Sequence, residues 1–143
     1  MSKLIIFLLF ALIQNLEYKG KQVYSLDKLK RLQSGAYELN VKEGDEFYIS
    51  VYQEGAKLHS SRMSLSKENK IPDALESKGM DTVGSGPHGM MLLGGSYYYY
   101  YKFKALKPSY NEISLKFDGY SSFFKDNYSV FVKINIIPKN KTN

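Results

Sequence analysis

The sequence predicts a single all-β domain, an antiparallel β-sandwich, and three observations lead there. From Tyr37 onward, apolar residues recur at every second position, the period of a half-buried strand. Gly, Pro, Asn and Asp interrupt these runs, as at Gly44-Asp45, Lys107-Pro108-Ser109 and Asp118-Gly119, with the backbone freedom that turns require. Hydrophobic residues make up 43% of the 143-residue chain and aromatics 15%, enough for a packed core and too much for a disordered segment.

The elements follow in order. Tyr37, Leu39 and Val41 alternate with polar neighbours; Phe47, Ile49 and Val51 continue the pattern against Glu46, Tyr48 and Ser50. Between Tyr97 and Phe103, one face carries Tyr97, Tyr99, Tyr101 and Phe103, and the other Tyr98, Tyr100 and Lys102. Ile113, Leu115 and Phe117 form a further strand, and Tyr128, Val130, Val132, Ile134 and Ile136 form the longest alternation. Such strands bury their apolar faces only against a second sheet, which makes the domain a sandwich. The tyrosine run reads as a strand with one face in the core and Tyr98 and Tyr100 turned outward, where tyrosines also suit a binding face.

Three segments stand apart from the strand period. Leu26, Leu29 and Leu32 are spaced by three, so Val23–Leu32 reads as a short amphipathic helix, with an edge strand as the alternative for residues 21–36. Pro72–Glu76 reads as one helical turn with proline at its favoured first position. Asp81–Met90 is glycine-rich and reads as a loop.

The chain opens on Lys3 and the uninterrupted apolar run Leu4–Ile13, the pattern of an export signal and well short of the ~20 residues that span a bilayer. A signal peptide over residues 1–20, cleaved between Gln14 and Lys21, implies a secreted protein or one in the lumen of the secretory or lysosomal pathway; an uncleaved anchor is the alternative. The sandwich is expected over 37–138 and a flexible tail over 139–143. Sequons at Asn127-Tyr128-Ser129 and Asn140-Lys141-Thr142 make Asn127 and Asn140 glycosylation candidates. There is no cysteine, which removes disulfides, thiol catalysis and thiolate metal sites together.

The net charge of +6 invites an anionic partner. Lys102, Lys104, Lys107, Lys116 and Lys133 are nevertheless scattered singly, and only Lys19, Lys21, Lys28, Lys30 and Arg31 lie close together. Without a basic stripe, nucleic-acid binding is not expected. Gly84–Gly89 matches G-x-G-x-x-G, but Pro87 removes an amide and no helix pattern follows, so the phosphate-binding context is missing. His59 and His88 fall in no ligand or triad spacing, and no carboxylates are set in recognisable acid/base spacing. The reading is a non-enzyme without cofactor or metal.

The segment from Leu93-Gly94-Gly95-Ser96-Tyr97 through Phe103-Lys104-Ala105-Leu106-Lys107-Pro108 resembles the chagasin-like inhibitors of papain-type cysteine proteases. That family has a Gly-Gly loop, an aromatic-alternating strand, and a phrase close to F-x-A-L-K-P-G; Ser109 stands here where glycine is usual. Val41-Lys42-Glu43-Gly44-Asp45-Glu46 is similar to the start of the family's second strand. The resemblance spans residues 37–137 and is strongest over 93–117.

What the resemblance implies is an immunoglobulin-like sandwich that presents three neighbouring loops to a protease cleft. Glu54, Gly55 and Ala56 would form the central loop; Leu93, Gly94, Gly95 and Ser96 would be one flank. Asp118, Gly119, Tyr120 and Ser121, running on to Ser122, would be the other, with Tyr120 as aromatic anchor. The function implied is a secreted, monomeric inhibitor of papain-like cysteine proteases that acts by occluding the cleft. The loops depart from the family: only Gly55 matches the usual N-P-T-T-G, Leu92 replaces a leading glycine, and Asp118–Phe123 lacks the usual R-P-W or R-P-F. These departures keep open a non-inhibitory binding module of the same fold, of carrier or adhesion type.

Overall fold

A computed structural model describes residues 16–54, 61–92, 95–121 and 126–139. The strands are β1 (Leu16–Tyr18), β2 (Lys21–Ser25), β3 (Lys30–Arg31), β4 (Tyr37–Lys42), β5 (Glu46–Gln53), β6 (Ser61–Leu65), β7 (Leu75–Gly84), β8 (Tyr97–Ala105), β9 (Ile113–Ser121) and β10 (Asp126–Ile137). They form two five-stranded sheets in the orders β1-β2-β5-β8-β7 and β3-β4-β10-β9-β6. The pairings are antiparallel except where β2 joins β5 and β4 joins β10, which run parallel.

The two sheets close over one core of immunoglobulin-like sandwich form. Phe47, Ile49 and Val51 point inward from β5, and Phe103 lies opposite Phe47 on β8 with ring centroids 5.9 Å apart. From the second sheet come Leu39, Val41, Ile113, Leu115, Phe117, Val132, Ile134 and Ile136, all buried. Tyr101 crosses between the layers: its ring meets Phe117 at 5.9 Å, and its hydroxyl accepts the Leu65 N–H at 3.0 Å. Each fully buried Phe, Leu or Ile contributes about 1.5–3 kcal/mol by removal from water, so the period-two positions decide the fold.

The N-terminal part differs from the sequence expectation. Val23–Leu32 forms no α-helix; it is the end of β2, a single 3-10 turn at Leu26–Lys28, and β3. The cause is pairing: Gln22–Ser25 lie in register with Phe47–Ser50, and ladder hydrogen bonds outweigh a three-residue leucine spacing. The turn then carries the chain from one sheet to the other. Leu16–Tyr18, which the expected leader would include, pair with Lys21–Val23. Lys19 and Gly20 both have positive φ, 51° and 75°, the geometry of a two-residue hairpin turn.

Two smaller expectations also change. Pro72–Leu75 is a turn closed by the Leu75 N–H on the Pro72 carbonyl at 3.0 Å, and β7 begins at its last residue, Leu75. Asp81–Gly84 belong to β7, paired with Tyr100–Tyr97 of β8, and the chain leaves the sheet only at Ser85.

Candidate functional site at one end of the sandwich

Strand register brings three chain connections to one end. Gln53 at the close of β5 lies opposite Tyr97 at the start of β8. On the other sheet, Ser121 lies between Ser61 and Asp126. The connections 54–60, 85–96 and 122–125 therefore leave the same edge of the two layers.

Gln53 ties that edge together. It continues the inward phase of β5 and is 1% exposed. Its Oε1 accepts the Met63 N–H at 2.9 Å, and its Nε2 donates to the Met63 carbonyl. A buried amide left without partners would be costly; here both ends of the group are satisfied by one residue of β6. The start and the return of the 54–60 connection are thereby held as neighbours.

The 85–96 connection is folded back on itself. The Ser85 N–H donates to the Ser96 carbonyl at 3.2 Å, the Gly86 N–H to Met90 at 3.0 Å, the Met90 N–H to Pro87 at 3.1 Å and the Gly95 N–H to Leu92 at 2.9 Å. Pro87–Gly89 make a 3-10 turn in which His88 has φ 56°. A Cβ on Gly84 would lie 2.0 Å from the Met90 carbonyl oxygen, so only glycine allows this approach. The side chains of Met90, Met91 and Leu92 are left 62%, 53% and 50% exposed. Ser96 is fixed from the neighbouring strand by a 2.6 Å hydrogen bond with the Tyr52 hydroxyl.

The sequence-derived site residues divide accordingly. Glu54 sits at the end of β5 and is half-buried; Gly95 and Ser96 lead into β8 at the same edge. Gly55, Ala56, Leu93, Gly94 and the sequon residue Asn140 lie outside the described residues. Asp118, Gly119, Tyr120 and Ser121 do not form a loop: they are the last residues of β9, paired on both sides by β6 and β10. Gly119 is buried beneath the Tyr128 ring. Asp118 faces out, near the Lys116 ammonium at 3.7 Å and accepting the Ser129 hydroxyl at 3.3 Å. Tyr120 is 42% exposed, opposite the exposed candidate glycosylation residue Asn127.

The outward tyrosines also differ from expectation. Tyr98 and Tyr100 are half-buried: Tyr98 packs against Tyr52 at 5.4 Å, and the β1–β2 hairpin reaches across the outer face of its sheet to Tyr100. The Tyr18 ring meets Tyr48 at 5.2 Å and Tyr100 at 4.9 Å, both edge-on, and Lys19 reaches Asp81 at 3.0 Å. Burial pushes the Tyr100 hydroxyl above its ordinary pKa. At the opposite end, Glu46 meets Lys78 at 3.2 Å, Lys102 at 3.4 Å and Lys21 at 3.6 Å, one lysine from each of three strands. The Lys78 hydrogen bond, with Lys78 and Lys102 charge behind it, lowers the Glu46 pKa to about 2.

A groove of about 580 Å³ runs beneath the candidate end, between the layers, lined among others by Leu26, Val51, Met63 and Tyr128. Among the described residues no group of three or more His, Asp or Glu is placed to hold a metal ion, and no helix is long and apolar enough to cross a membrane. His59 lies outside the described residues. Sequence reasoning missed two features of this end. Gln53 was signalled by its inward phase after Phe47, Ile49 and Val51, and the apolar tip by the run Met90-Met91-Leu92.

No family model matches the chain, and no curated protein matches it. Two solved structures are similar in the course of their chains. The solution structure of amebosin has 11% identity and a TM-score of 0.42, covering 80% of this chain and 96% of that one. PbICP-C, solved in complex with falcipain-2, has 13% identity and a TM-score of 0.43, covering 82% of this chain and 100% of that one.

Proposed function

We propose that the protein is a secreted inhibitor of papain-like cysteine proteases that occludes the active-site cleft with the connected end of its sandwich. The observation that carries this reading is the convergence of the 54–60, 85–96 and 122–125 connections on one edge, where Gly95 and Ser96 lead into β8. Two of these connections are anchored at their base, by Gln53 on Met63 and by the bonded turns around Met90. A loop whose base is already ordered loses less entropy on binding, which leaves more of the contact energy as affinity. The apolar run Leu4–Ile13 supports export.

The test is a titration of the purified protein, from Leu16 onward, against papain and a cathepsin-L-like enzyme with a fluorogenic peptide substrate. Reversible competitive inhibition is expected. A flat titration at micromolar concentrations of folded protein would sink the inhibitor reading. A non-inhibitory binding module is the second reading, and the placement of Asp118–Ser121 in a paired strand favours it, because that flank then offers a ladder and not a free loop.

A further inference from the structure

We propose that Met90 and Met91 form an oxidant-sensitive anchor: oxidation of their thioethers to sulfoxides weakens the grip of the protein on its protease. The inference rests on the inhibitor reading above and names a modification site within it. The backbone around these residues is fixed. The Gly86 N–H donates to the Met90 carbonyl, the Met90 N–H donates to the Pro87 carbonyl, and Gly84 lets the Met90 carbonyl approach closely. Leu92 lies against the backbone of Gly86 and Gly95, where added Cβ atoms would come within 3.0 and 2.8 Å of it. The side chains of Met90 and Met91 are left as large apolar groups in water, 62% and 53% exposed. A pinned turn that displays contiguous apolar side chains marks a surface made to be covered, and the unbranched thioether adapts its shape to an apolar cleft wall.

The same sulfur is the reactive group. A lone pair of the thioether attacks the terminal oxygen of a hydroperoxide and the O–O bond breaks. Sulfur is oxidised by two electrons, and hydrogen peroxide is reduced to water. The product side chain is polar and chiral, and methionine sulfoxide reductases reverse it. Buried against a protease, that new dipole would have to be desolvated. The fold supplies an internal control: Met80 is 45% exposed but lies within β7, paired with Tyr101, four residues before the strand ends at Gly84. Met63 is half-buried against the core.

In the experiment the whole protein is treated with hydrogen peroxide, freed of oxidant so that the protease thiol is spared, mapped by peptide mass spectrometry and titrated against papain. The expected result is a rise in the inhibition constant of about tenfold or more once Met90 and Met91 carry oxygen, with an unchanged circular dichroism spectrum and recovery after reductase treatment. Met80→Leu protein should behave as the parent in both states. Met90→Leu/Met91→Leu protein, whatever its own inhibition constant, should give the same value before and after peroxide. Sulfoxides at Met90 and Met91 with an unchanged constant would overturn the inference and leave the inhibitor reading standing. So would a peroxide effect that persists in the double variant. Untreated, folded protein that inhibits no papain-like enzyme would defeat the inhibitor reading itself, and the inference with it.

Discussion

The ring of Tyr128 lies flat across Gly119 on the neighbouring strand, so that a Cβ at position 119 would sit 2.3 Å from the tyrosine Cζ and 2.5 Å from its Cε2. The glycine is there for the room it leaves. Gly119→Ala should therefore displace the Tyr128 ring and destabilise the fold by about 1–2 kcal/mol. In Tyr128→Ala protein the same change should be neutral or stabilising, because alanine suits a strand interior better than glycine. A double-mutant cycle by urea unfolding measures the coupling, and additive effects would show that the ring does not depend on the glycine.

Gln53→Leu should destabilise the protein by about 2 kcal/mol, since the half-buried Met63 N–H and carbonyl would lose their side-chain partner. The residue-level signature is faster amide exchange at Met63. Unchanged exchange there would mean that the amide does not clamp β5 to β6.

Glu46 predicts the acid limb of stability. Its folded-state pKa of about 2 lies below the ordinary value of 4.5, so the ionised carboxylate favours the folded state. That contribution is complete above about pH 4.5 and is lost as the pH falls toward 2. Chemical unfolding between pH 6 and pH 2 should show the parent losing stability across this window. Glu46→Gln protein should lose less over the same range, and parallel curves would contradict the assignment.

A chain beginning at Lys21 should be less stable than one beginning at Leu16 by about 2 kcal/mol, the value of the apolar area that Tyr18 covers. Near-ultraviolet circular dichroism should change as well, because Tyr48 and Tyr100 lose their edge-on neighbour. Equal stability of the two chains would show that the hairpin is an ornament of the sheet.

The sandwich was legible because its middle and C-terminal strands each carry a period of two, over Tyr37–Val41, Phe47–Gln53, Tyr97–Phe103, Ile113–Phe117 and Tyr128–Ile136. The N-terminal strands were not. Within Lys21–Ser25 only Val23 is fully buried, and the segment becomes a strand through Phe47–Ser50, distant in sequence. The cover over Tyr100 was hidden for the same reason, since Tyr18 is remote from it along the chain. Asp118-Gly119 carries a strong local turn signal, yet β6 and β10 flank it on both sides and absorb it into the ladder. Of the candidate end, the Gly95-Ser96 approach to β8 and the β5 terminus were legible as neighbours only through the resemblance. Their convergence depends on register, which side-chain alternation fixes modulo two but does not number.

The direction of β10 has a practical corollary. It starts at Asp126 beside the candidate end and runs the length of the sheet to Ile137, whose carbonyl accepts the Glu43 N–H, with the Lys139 N–H then reaching the Glu43 carboxylate. A tether attached after Lys139 would therefore hold the protein by its base and aim the connected edge into solution. One attached before Leu16 would emerge beside Val23, level with Tyr48 partway along the sheet and with the chain heading toward that edge. Sensor surfaces and fusion partners should be joined at the carboxyl side.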